Sequence, residues 1–217
     1  MSMDYSPVWI SLKVTLAATG CSFLLGILAA RWRMEYRGSF GWLVDGAIVL
    51  PLALPPTVVG LILLLIFGNS SPIGIFFSSW SLLFTWRAAA LASFVVSFPL
   101  MYLTTRAAFQ QIDPILIDTA RIEGLSGWKI LWRAFVPLAW NGIAAGTTLA
   151  FVRGLGEFGA TLMIAGNIPG ITQTMPLAIY SSVEAGEPSA AVIFSLVNVL
   201  ISVCALLLVS FFEKKRA

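Results

Sequence analysis

Five apolar stretches, each long enough to cross a lipid bilayer as a helix, constrain this chain more than any other feature of its sequence. A hydrocarbon core about 30 Å thick requires about 20 helical residues per crossing. Only 11% of the residues are charged and the mean hydropathy is +0.92, whereas a soluble domain carries about 25% charged residues. We therefore expect an all-α membrane protein with one transmembrane domain over residues 1–217. The predicted spans are residues 8–30, 43–68, 87–105, 138–164 and 189–212.

Basic side chains indicate how these spans are oriented, because Lys and Arg are retained on the cytoplasmic side of a membrane. Most of the 13 basic residues lie in alternate segments, and the intervening loops contain none. This pattern predicts an outside N-terminus, a cytoplasmic C-terminus and five crossings of the cell (inner) membrane. The stretch 174–185 is too short for a sixth crossing and is predicted as a short helix or re-entrant turn on the outer side. The basic residues of the alternate segments are Arg31, Arg33, Arg37, Arg106, Arg121, Lys129, Arg133, Lys214, Lys215 and Arg216.

The composition argues against an enzyme, a metal site and a nucleic-acid partner. The chain has no histidine, which is the commonest metal ligand and the commonest general base near neutral pH. Cys21 and Cys204 lie in apolar runs, where thiols behave as small hydrophobic groups. The net charge of +3 arises from short loops without a basic patch interleaved with aromatic residues. We expect no catalysis, cofactor, metal or nucleic-acid binding by this chain.

Proline is unusually frequent in the second predicted span. Pro51, Pro55 and Pro56 each lack a backbone N–H, and the carbonyls freed inside a membrane are tolerated only beside protein or a water-filled cavity. Pro55, Pro56 and the adjacent Thr57 are therefore candidates for a gate or a transport pathway. The alternative is an ordinary kink of the kind that proline produces in many membrane helices.

The fourth predicted span is longer than a straight crossing, because its 27 residues make about 40 Å of helix. We expect it to tilt, kink or unwind in the glycine-rich stretch 153–159. Arg153 and Glu157 are four residues apart and suited to pair on one helix face. Charges at membrane depth usually face a cavity or a bundle interior, which makes both residues gate or pathway candidates. The alternative is that they neutralise each other to permit insertion.

Small residues and hydroxyls elsewhere in the spans have two interpretations. Gly142 and Gly146 form a small-xxx-small pair that allows another helix to approach closely, and packing alone accounts for them. Thr57, Ser97 and Thr161 offer hydroxyl groups to a pathway, although such groups more often serve helix packing.

The segment 113–137 is too polar to cross the membrane and is patterned as two short helices. Asp113, which precedes a proline, is an N-cap for the first helix, and Gly124 is suited to end it in the left-handed conformation. Ser126 is suited to cap a second helix over 127–136, which a proline then connects to the fourth span.

The first of these helices combines an apolar side with charged flanks. Such a helix is suited to insertion into a groove on a partner protein, or alternatively to resting on the membrane interface. Its apolar side is predicted to consist of Ile115, Leu116, Ala120 and Ile122.

This segment resembles the EAA loop of ABC importer permeases, written E-A-A-x3-G-x9-I-x-L-P. Asp118, Thr119 and Ala120 stand at its first three positions, Gly124 keeps its spacing, and residues 134–137 read Ala-Phe-Val-Pro. In that family the loop is a coupling helix received by a cleft in the ATPase. The resemblance implies an ATPase-coupling role for Asp118, Thr119, Ala120, Arg121, Glu123 and Gly124.

Three further stretches, 50–60, 154–161 and 166–170, look like the molybdate permease branch of the same family, which has sulfate, tungstate and polyamine permeases as close relatives. The likeness covers most of the chain and implies a type I ABC importer permease fold. It also implies the partners: a second copy of the chain, two ATP-binding cassette ATPase subunits and an extracytoplasmic oxyanion-binding protein. The implied function is import of molybdate by alternating access through a pore in the lipid bilayer.

The chain contains no G-x-x-x-x-G-K-[ST] phosphate-binding loop, so we expect ATP hydrolysis by a partner subunit. Three alternatives remain on the sequence alone. The first is a permease for tungstate, sulfate or another small solute of the same family. The others are an ATP-independent channel, against which the coupling loop argues, and a membrane-embedded enzyme, against which the absence of histidine argues.

Overall fold

A computed structural model describes residues 4–36, 38–68, 71–76 and 82–214. Helices are the only regular structure in these ranges, and three of them are long and apolar enough to cross a membrane, or five if each of two bent pairs counts as one crossing. The predicted all-α membrane fold is confirmed. The helices are α1 Ser6–Glu35, α2 Gly41–Ala53, α3 Pro56–Phe67, α4 Pro72–Phe76, α5 Trp86–Gln110, α6 Pro114–Ile122, α7 Gly127–Leu138, α8 Trp140–Leu155, α9 Gly159–Ala165, α10 Met175–Glu184 and α11 Pro188–Lys214.

The first helix, α1, has 30 residues and extends at both ends beyond the predicted span 8–30. Trp9 and Trp32 lie near its two ends and are largely exposed, and their separation in sequence corresponds to about 35 Å of helix. Tryptophan is enriched at both membrane–water interfaces, so this spacing suits a helix that crosses a hydrocarbon core of about 30 Å.

The second predicted span, 43–68, is not one helix in the structure. The helices α2 and α3 meet at a break between them with a bend of 114°, and Leu54 and Pro55 there have extended backbone conformations. A residue that precedes proline is displaced from the helical conformation, and two consecutive prolines act on these two residues in succession. Pro51, in contrast, lies inside α2.

The fourth predicted span, 138–164, is divided twice. The helices α7 and α8 meet at Ala139 with a bend of 80°, and α8 ends at Leu155. The short helix α9 begins at Gly159. The second break therefore falls in the glycine-rich stretch 153–159, where the sequence predicts a departure from straight helix.

The core of the molecule is formed by α1, α5 and α8. Small residues set their spacing: a Cβ placed on Gly26 would lie 2.6 Å from Cγ of Met101, and one on Gly142 would lie 2.4 Å from Cβ of Ala108. A Cβ on Gly146 would meet the Thr104 hydroxyl. Gly142 and Gly146 therefore serve close packing of α8 against α5, as predicted.

The segment between α9 and α11 contains the short helix α10, which the sequence predicts as a short helix or re-entrant turn. Its first N–H group, that of Met175, donates to Oγ of Ser11 at 2.7 Å. This buried bond fixes α10 to α1. The last helix, α11, packs against α10 and α8, and much of its apolar surface is exposed, including Leu196 and Leu200. The predicted basic residues Arg37, Lys215 and Arg216 lie outside the described residues.

Candidate functional site

The helix α6 begins and ends as the sequence predicts. The carboxylate of Asp113 accepts a hydrogen bond from the Ile115 N–H at 2.9 Å, which satisfies one of the free donors of the first turn. At the other end Gly124 has φ +79°. The N–H of Gly124 donates to the Arg121 carbonyl at 3.0 Å, and the N–H of Leu125 donates to the Ala120 carbonyl at 3.2 Å. These two bonds form a Schellman turn, which fixes the end of α6 with main-chain atoms alone.

The predicted coupling residues lie on the surface of this helix and its turn. Asp118 and Arg121 pair with each other at 2.9 Å, and their side chains are 63% and 54% exposed. Thr119, Glu123 and Gly124 are exposed as well, and Ala120 is half-buried. The six residues thus form one continuous surface, available to a partner.

The predicted apolar side of α6 is largely exposed, and a residue outside it faces the core. Ile117 is the residue that packs into the core, at 7% exposure, whereas Ile115, Leu116 and Ile122 are 70%, 52% and 87% exposed. Residues three and four positions apart lie on the same face of a helix. Ile117 marks the face of α6 that is turned towards the bundle. These three exposed residues therefore form an apolar surface that faces away from the bundle.

The helices α6 and α7 are seated on the ends of α1 and α5. Phe135 of α7 packs edge-on against Phe109 of α5, with ring centroids 5.0 Å apart, and the Arg31 guanidinium lies 4.6 Å from the Phe135 ring. Arg31 also pairs with Glu35. A groove of about 350 Å³ separates α6 from these residues, and Asp118, Arg121 and Ile117 form part of its wall.

The second helix of the loop, α7, extends beyond its predicted end. It contains a π-helical turn, Leu131–Phe135, in which the Val136 N–H donates to the Leu131 carbonyl. It continues to Leu138, so Pro137 lies inside α7 and the bend follows at Ala139. The wider turn is compatible with proline, because it absorbs the missing donor without ending the helix. Ser126 stands at the predicted N-cap position, but its side chain makes no capping bond.

Two of the predicted gate residues, Pro56 and Thr57, lie against the start of α9, where α3 packs on that helix. A Cβ placed on Gly159 would lie 3.2 Å from Cβ of Pro56 and 3.2 Å from Cγ2 of Thr57. A Cβ on Gly60 would lie 2.8 Å from Cα of Ala160. Only glycine permits this approach of backbone to backbone. The helices α3 and α9, each of which follows an interruption of helical structure, are therefore in direct contact.

The ion pair of Arg153 and Glu157 is present, but it does not lie on one helix face. Nη1 of Arg153 donates to Oε2 of Glu157 at 2.7 Å, and α8 ends at Leu155 between them. The other carboxylate oxygen, Oε1, accepts the N–H of Ala160 at 2.9 Å. Glu157 is 2% exposed, and its charge lies at the N-terminal end of α9, where a negative charge is favourable.

The three predicted hydroxyl residues are placed differently. Ser97 is fully buried and lies 3.4 Å from the Ser22 hydroxyl, in the contact of α5 with α1, which is a packing position. Thr57 contacts Gly159. Thr161 is fully buried, and its hydroxyl has no hydrogen-bond partner among the described residues.

A charge cluster that no sequence motif marks joins α1, α2 and α5. The Asp45 carboxylate receives Nε of Arg33 at 2.9 Å, Nη1 of Arg106 at 2.9 Å and the Tyr102 hydroxyl at 2.6 Å. Two arginines and a phenol thus converge on one carboxylate whose side chain is 21% exposed. A lone Asp inside a predicted span was the only available signal.

Known proteins are similar in sequence to this chain over most of its length. A family model described as "Binding-protein-dependent transport system inner membrane component" matches residues 22–217. The chain is 43% identical to the Bacillus subtilis protein YvgM, over 98% of the chain and 93% of that protein. It is 39% identical to the molybdenum transport system permease protein ModB of Haemophilus influenzae, over 92% of each. A sulfate transport system permease protein, cysT of Chlorokybus atmophyticus, is 32% identical over 94% of the chain and 72% of its own length.

Solved structures share the fold at much lower identity. The MetNI methionine ABC transporter, described in inward-facing conformations, has a chain that superposes with a TM-score of 0.75 at 15% identity. The match covers 97% of this chain and 94% of that one. This likeness extends over α1 to α11 and concerns the fold alone.

Proposed function

Because the chain belongs to the family of binding-protein-dependent transport system inner membrane components, we propose that it is the pore subunit of an ATP-driven ABC importer that carries an oxyanion, molybdate, into the cytoplasm. The protein is a multi-pass inner membrane protein, as its family and its membrane-spanning helices require. Molybdate is the proposed substrate because ModB of H. influenzae, at 39% identity over 92% of the chain, is named for molybdenum transport.

The observation that carries the proposal is the coupling surface on α6. Ile115, Leu116 and Ile122 are exposed beside the paired charges of Asp118 and Arg121. An amphipathic helix that displays apolar anchors among charges is recognised by a groove on a partner protein. The Schellman turn at Gly124 holds this surface rigidly at one end of the bundle. We propose that the partner whose groove receives α6 is an ATP-binding cassette ATPase, since ATP must be hydrolysed by a partner.

The proposed pathway runs beside the contact of α3 with α9. Both elements are half-helices that begin after a break, and such breaks at membrane depth occur where the backbone is buried in protein or lines a water-filled cavity. The side chains proposed for this region carry no charge: they are the prolines Pro55 and Pro56 and the hydroxyl-bearing Thr57 and Thr161. The Glu157 charge is neutralised by Arg153. A dianion passes such a lining more readily than one with strong fixed binding groups, because tight binding obstructs release.

We propose the following assembly and cycle. Two copies of the chain enclose one pathway, two ATPase subunits bind their coupling surfaces, and an extracytoplasmic oxyanion-binding protein delivers the substrate. ATP binding closes the ATPase pair and draws the two coupling surfaces together, which opens the pathway outward. Hydrolysis restores the inward-open state.

The proposed orientation has the N-terminus outside and the C-terminus in the cytoplasm. Its support is the collection of Arg33, Arg106 and Arg121 at the end of the bundle that carries α6. A cysteine introduced at Glu123, in a background with Cys21 and Cys204 replaced by serine, tests it. A membrane-impermeant thiol reagent should label this cysteine in inverted vesicles and not in intact spheroplasts.

Reconstitution tests the transport function. The chain is expressed with its cognate ATPase, purified as a complex and inserted into vesicles with the binding protein. We expect ATP-dependent molybdate uptake that requires all three components. Absence of a complex contradicts the importer assignment, and uptake without ATP favours a channel.

A second substrate class is supported by the 32% identity to a sulfate transport system permease protein. Tungstate and sulfate are therefore tested beside molybdate, each loaded on the binding protein, with ATPase stimulation as the readout. Stimulation by molybdate well above that by sulfate supports the molybdate assignment, whereas equal stimulation by all three anions contradicts it.

A further inference from the structure

Two cations lie on the surface near the start of α1 and α5, at the end of the bundle opposite the coupling surface. Lys13 and Arg87 are both exposed, and Nζ of Lys13 lies 3.9 Å from the centroid of the Trp86 ring. The Arg87 guanidinium lies 6.0 Å from the same ring. Neither cation forms an ion pair with an acidic side chain within the described ranges.

Each cation stands at the head of an apolar stripe with helical spacing. On α1 the residues Ala17, Cys21 and Leu25 follow Lys13, each four positions after the one before. On α5 the residues Ala90, Leu91 and Phe94 lie three, four and seven positions after Arg87. Residues with these spacings share a helix face. The two stripes border a groove of about 350 Å³ between α1 and α5, and Trp86 and Arg87 form its end.

The side chains of both cations are directed away from the membrane centre. The Cα–Cβ bond in a helix is tilted towards the N-terminus, and α1 and α5 both start at this end of the bundle. Long basic side chains near helix ends extend to the interface while their stems cover apolar surface. The charges are therefore placed at the level of lipid headgroups, with the groove below them at the depth of acyl chains.

We propose that this surface binds an anionic phospholipid, with its phosphate headgroup on Lys13 and Arg87 and an acyl chain in the groove between α1 and α5. Charge complementarity selects the headgroup, since two unpaired cations at the interface attract anionic lipid. A free oxyanion from the transport pathway shares the phosphate-like charge, but the apolar wall beneath the cations has nothing to offer it. The groove fits a hydrocarbon chain, and it lies on a different face from the contact of α3 with α9.

Native mass spectrometry of the purified full chain in detergent tests this site. Phosphatidylglycerol and phosphatidylcholine with identical acyl chains are titrated onto the protein, and retained lipid is counted. We expect preferential retention of phosphatidylglycerol. The double variant Lys13→Gln/Arg87→Gln should retain it about 30-fold less well, on the basis of about 1 kcal/mol per basic residue at an anionic lipid surface. The matched control Lys129→Gln/Arg133→Gln removes two exposed cations at the other end of the molecule and should retain the lipid as the wild type does.

Two further arms distinguish the headgroup from the chain and the lipid from a free anion. The variant Ala17→Phe fills the groove and leaves both cations, so it should weaken retention of long-chain phosphatidylglycerol and not of the dihexanoyl form. Free phosphate and free molybdate should not displace the bound lipid. Equal retention of the two lipids, unchanged retention by the double variant, or displacement by millimolar free anion each overturns the proposal. Lipid retention is measured without ATPase or substrate, so it is independent of transport.

Discussion

Arg153 and Glu157 form an ion pair across the break between α8 and α9, with Nη1 of the arginine 2.7 Å from Oε2 of the glutamate. The same carboxylate accepts the N–H of Ala160, the first residue of α9 to face Gly60 of α3. One buried side chain therefore links the last turn of α8 to the first turn of α9.

Removing the arginine should destabilise the protein more than removing both charges. Arg153→Met leaves the buried Glu157 charge without its cationic partner, which we expect to cost about 2 kcal/mol, below the value for a fully buried pair because the arginine is partly exposed. The double variant Arg153→Met/Glu157→Gln should recover part of that loss. Thermal unfolding in detergent of the two single variants and the double variant measures the coupling. Strictly additive effects contradict an energetic role for the pair.

Enlarging Gly60 should separate α3 from α9 and slow transport. A Cβ at this position would lie 2.8 Å from Cα of Ala160 and 2.7 Å from Cβ of Met163, so Gly60→Ala forces the backbones apart at a cost of about 1 to 3 kcal/mol. Gly46→Ala in α2 is the matched control, because a Cβ there meets nothing within 4 Å. The melting temperature and the initial rate of uptake are compared; equal values for the two variants count against a tight contact of α3 with α9.

On the proposed coupling role of α6, Gly124→Pro should uncouple the chain from the proposed ATPase. The φ of +79° is closed to proline, whose φ is fixed near −65°, so Gly124→Pro removes the Schellman turn and redirects α6. Gly124→Asn retains access to the left-handed conformation and should keep most of the activity. Gly127→Ala, three residues away in a position with open space, is the neutral control. Copurification of ATPase and stimulated ATP hydrolysis are measured, and a Gly124→Pro variant with wild-type coupling refutes the assignment of α6.

Neutralising Asp45 should loosen α1, α2 and α5 at their common end. Asp45→Asn leaves Arg33 and Arg106 facing each other without a carboxylate, which we expect to cost about 2 kcal/mol, reduced by the partial exposure of the site. Tyr102→Phe removes one hydrogen bond and should cost about 1 kcal/mol. Chemical or thermal unfolding in low and high salt provides the measurement. An Asp45→Asn variant as stable as the wild type shows that the cluster contributes nothing.

Local signals along the chain predict much of the helical structure. Asp113, which precedes a proline, and Gly124, which follows the last apolar residue, favour the start and the end of α6 through their own conformational preferences. Both ends of α6 are therefore predictable without knowledge of any distant contact. The consecutive Pro55 and Pro56 likewise predict a disturbed helix. Their bend of 114° is not predictable locally, because the packing of α3 on α9 sets the direction of the second half.

Contacts between distant parts of the chain account for what the sequence does not reveal. Asp45 is 61 positions from Arg106, and only the fold brings them together. The Arg153 and Glu157 spacing predicts a pair correctly but assigns it to one helix face, because the sequence predicts a departure from straight helix in 153–159 without locating the end of α8 at Leu155. The sequence does not identify Ile117 as the residue of α6 that packs into the core, since the position of the bundle relative to that short helix is a tertiary property.

The turn at Gly124 is held by main-chain bonds from Gly124 to Arg121 and from Leu125 to Ala120, so its shape does not depend on which side chains surround it. Substitutions at Asp118, Thr119 or Glu123 change what the helix displays and leave its frame in place. Such a surface is free to diverge together with a partner protein, one residue at a time, without passing through a misfolded form. Specificity for a partner can therefore evolve separately from the architecture of the helical bundle.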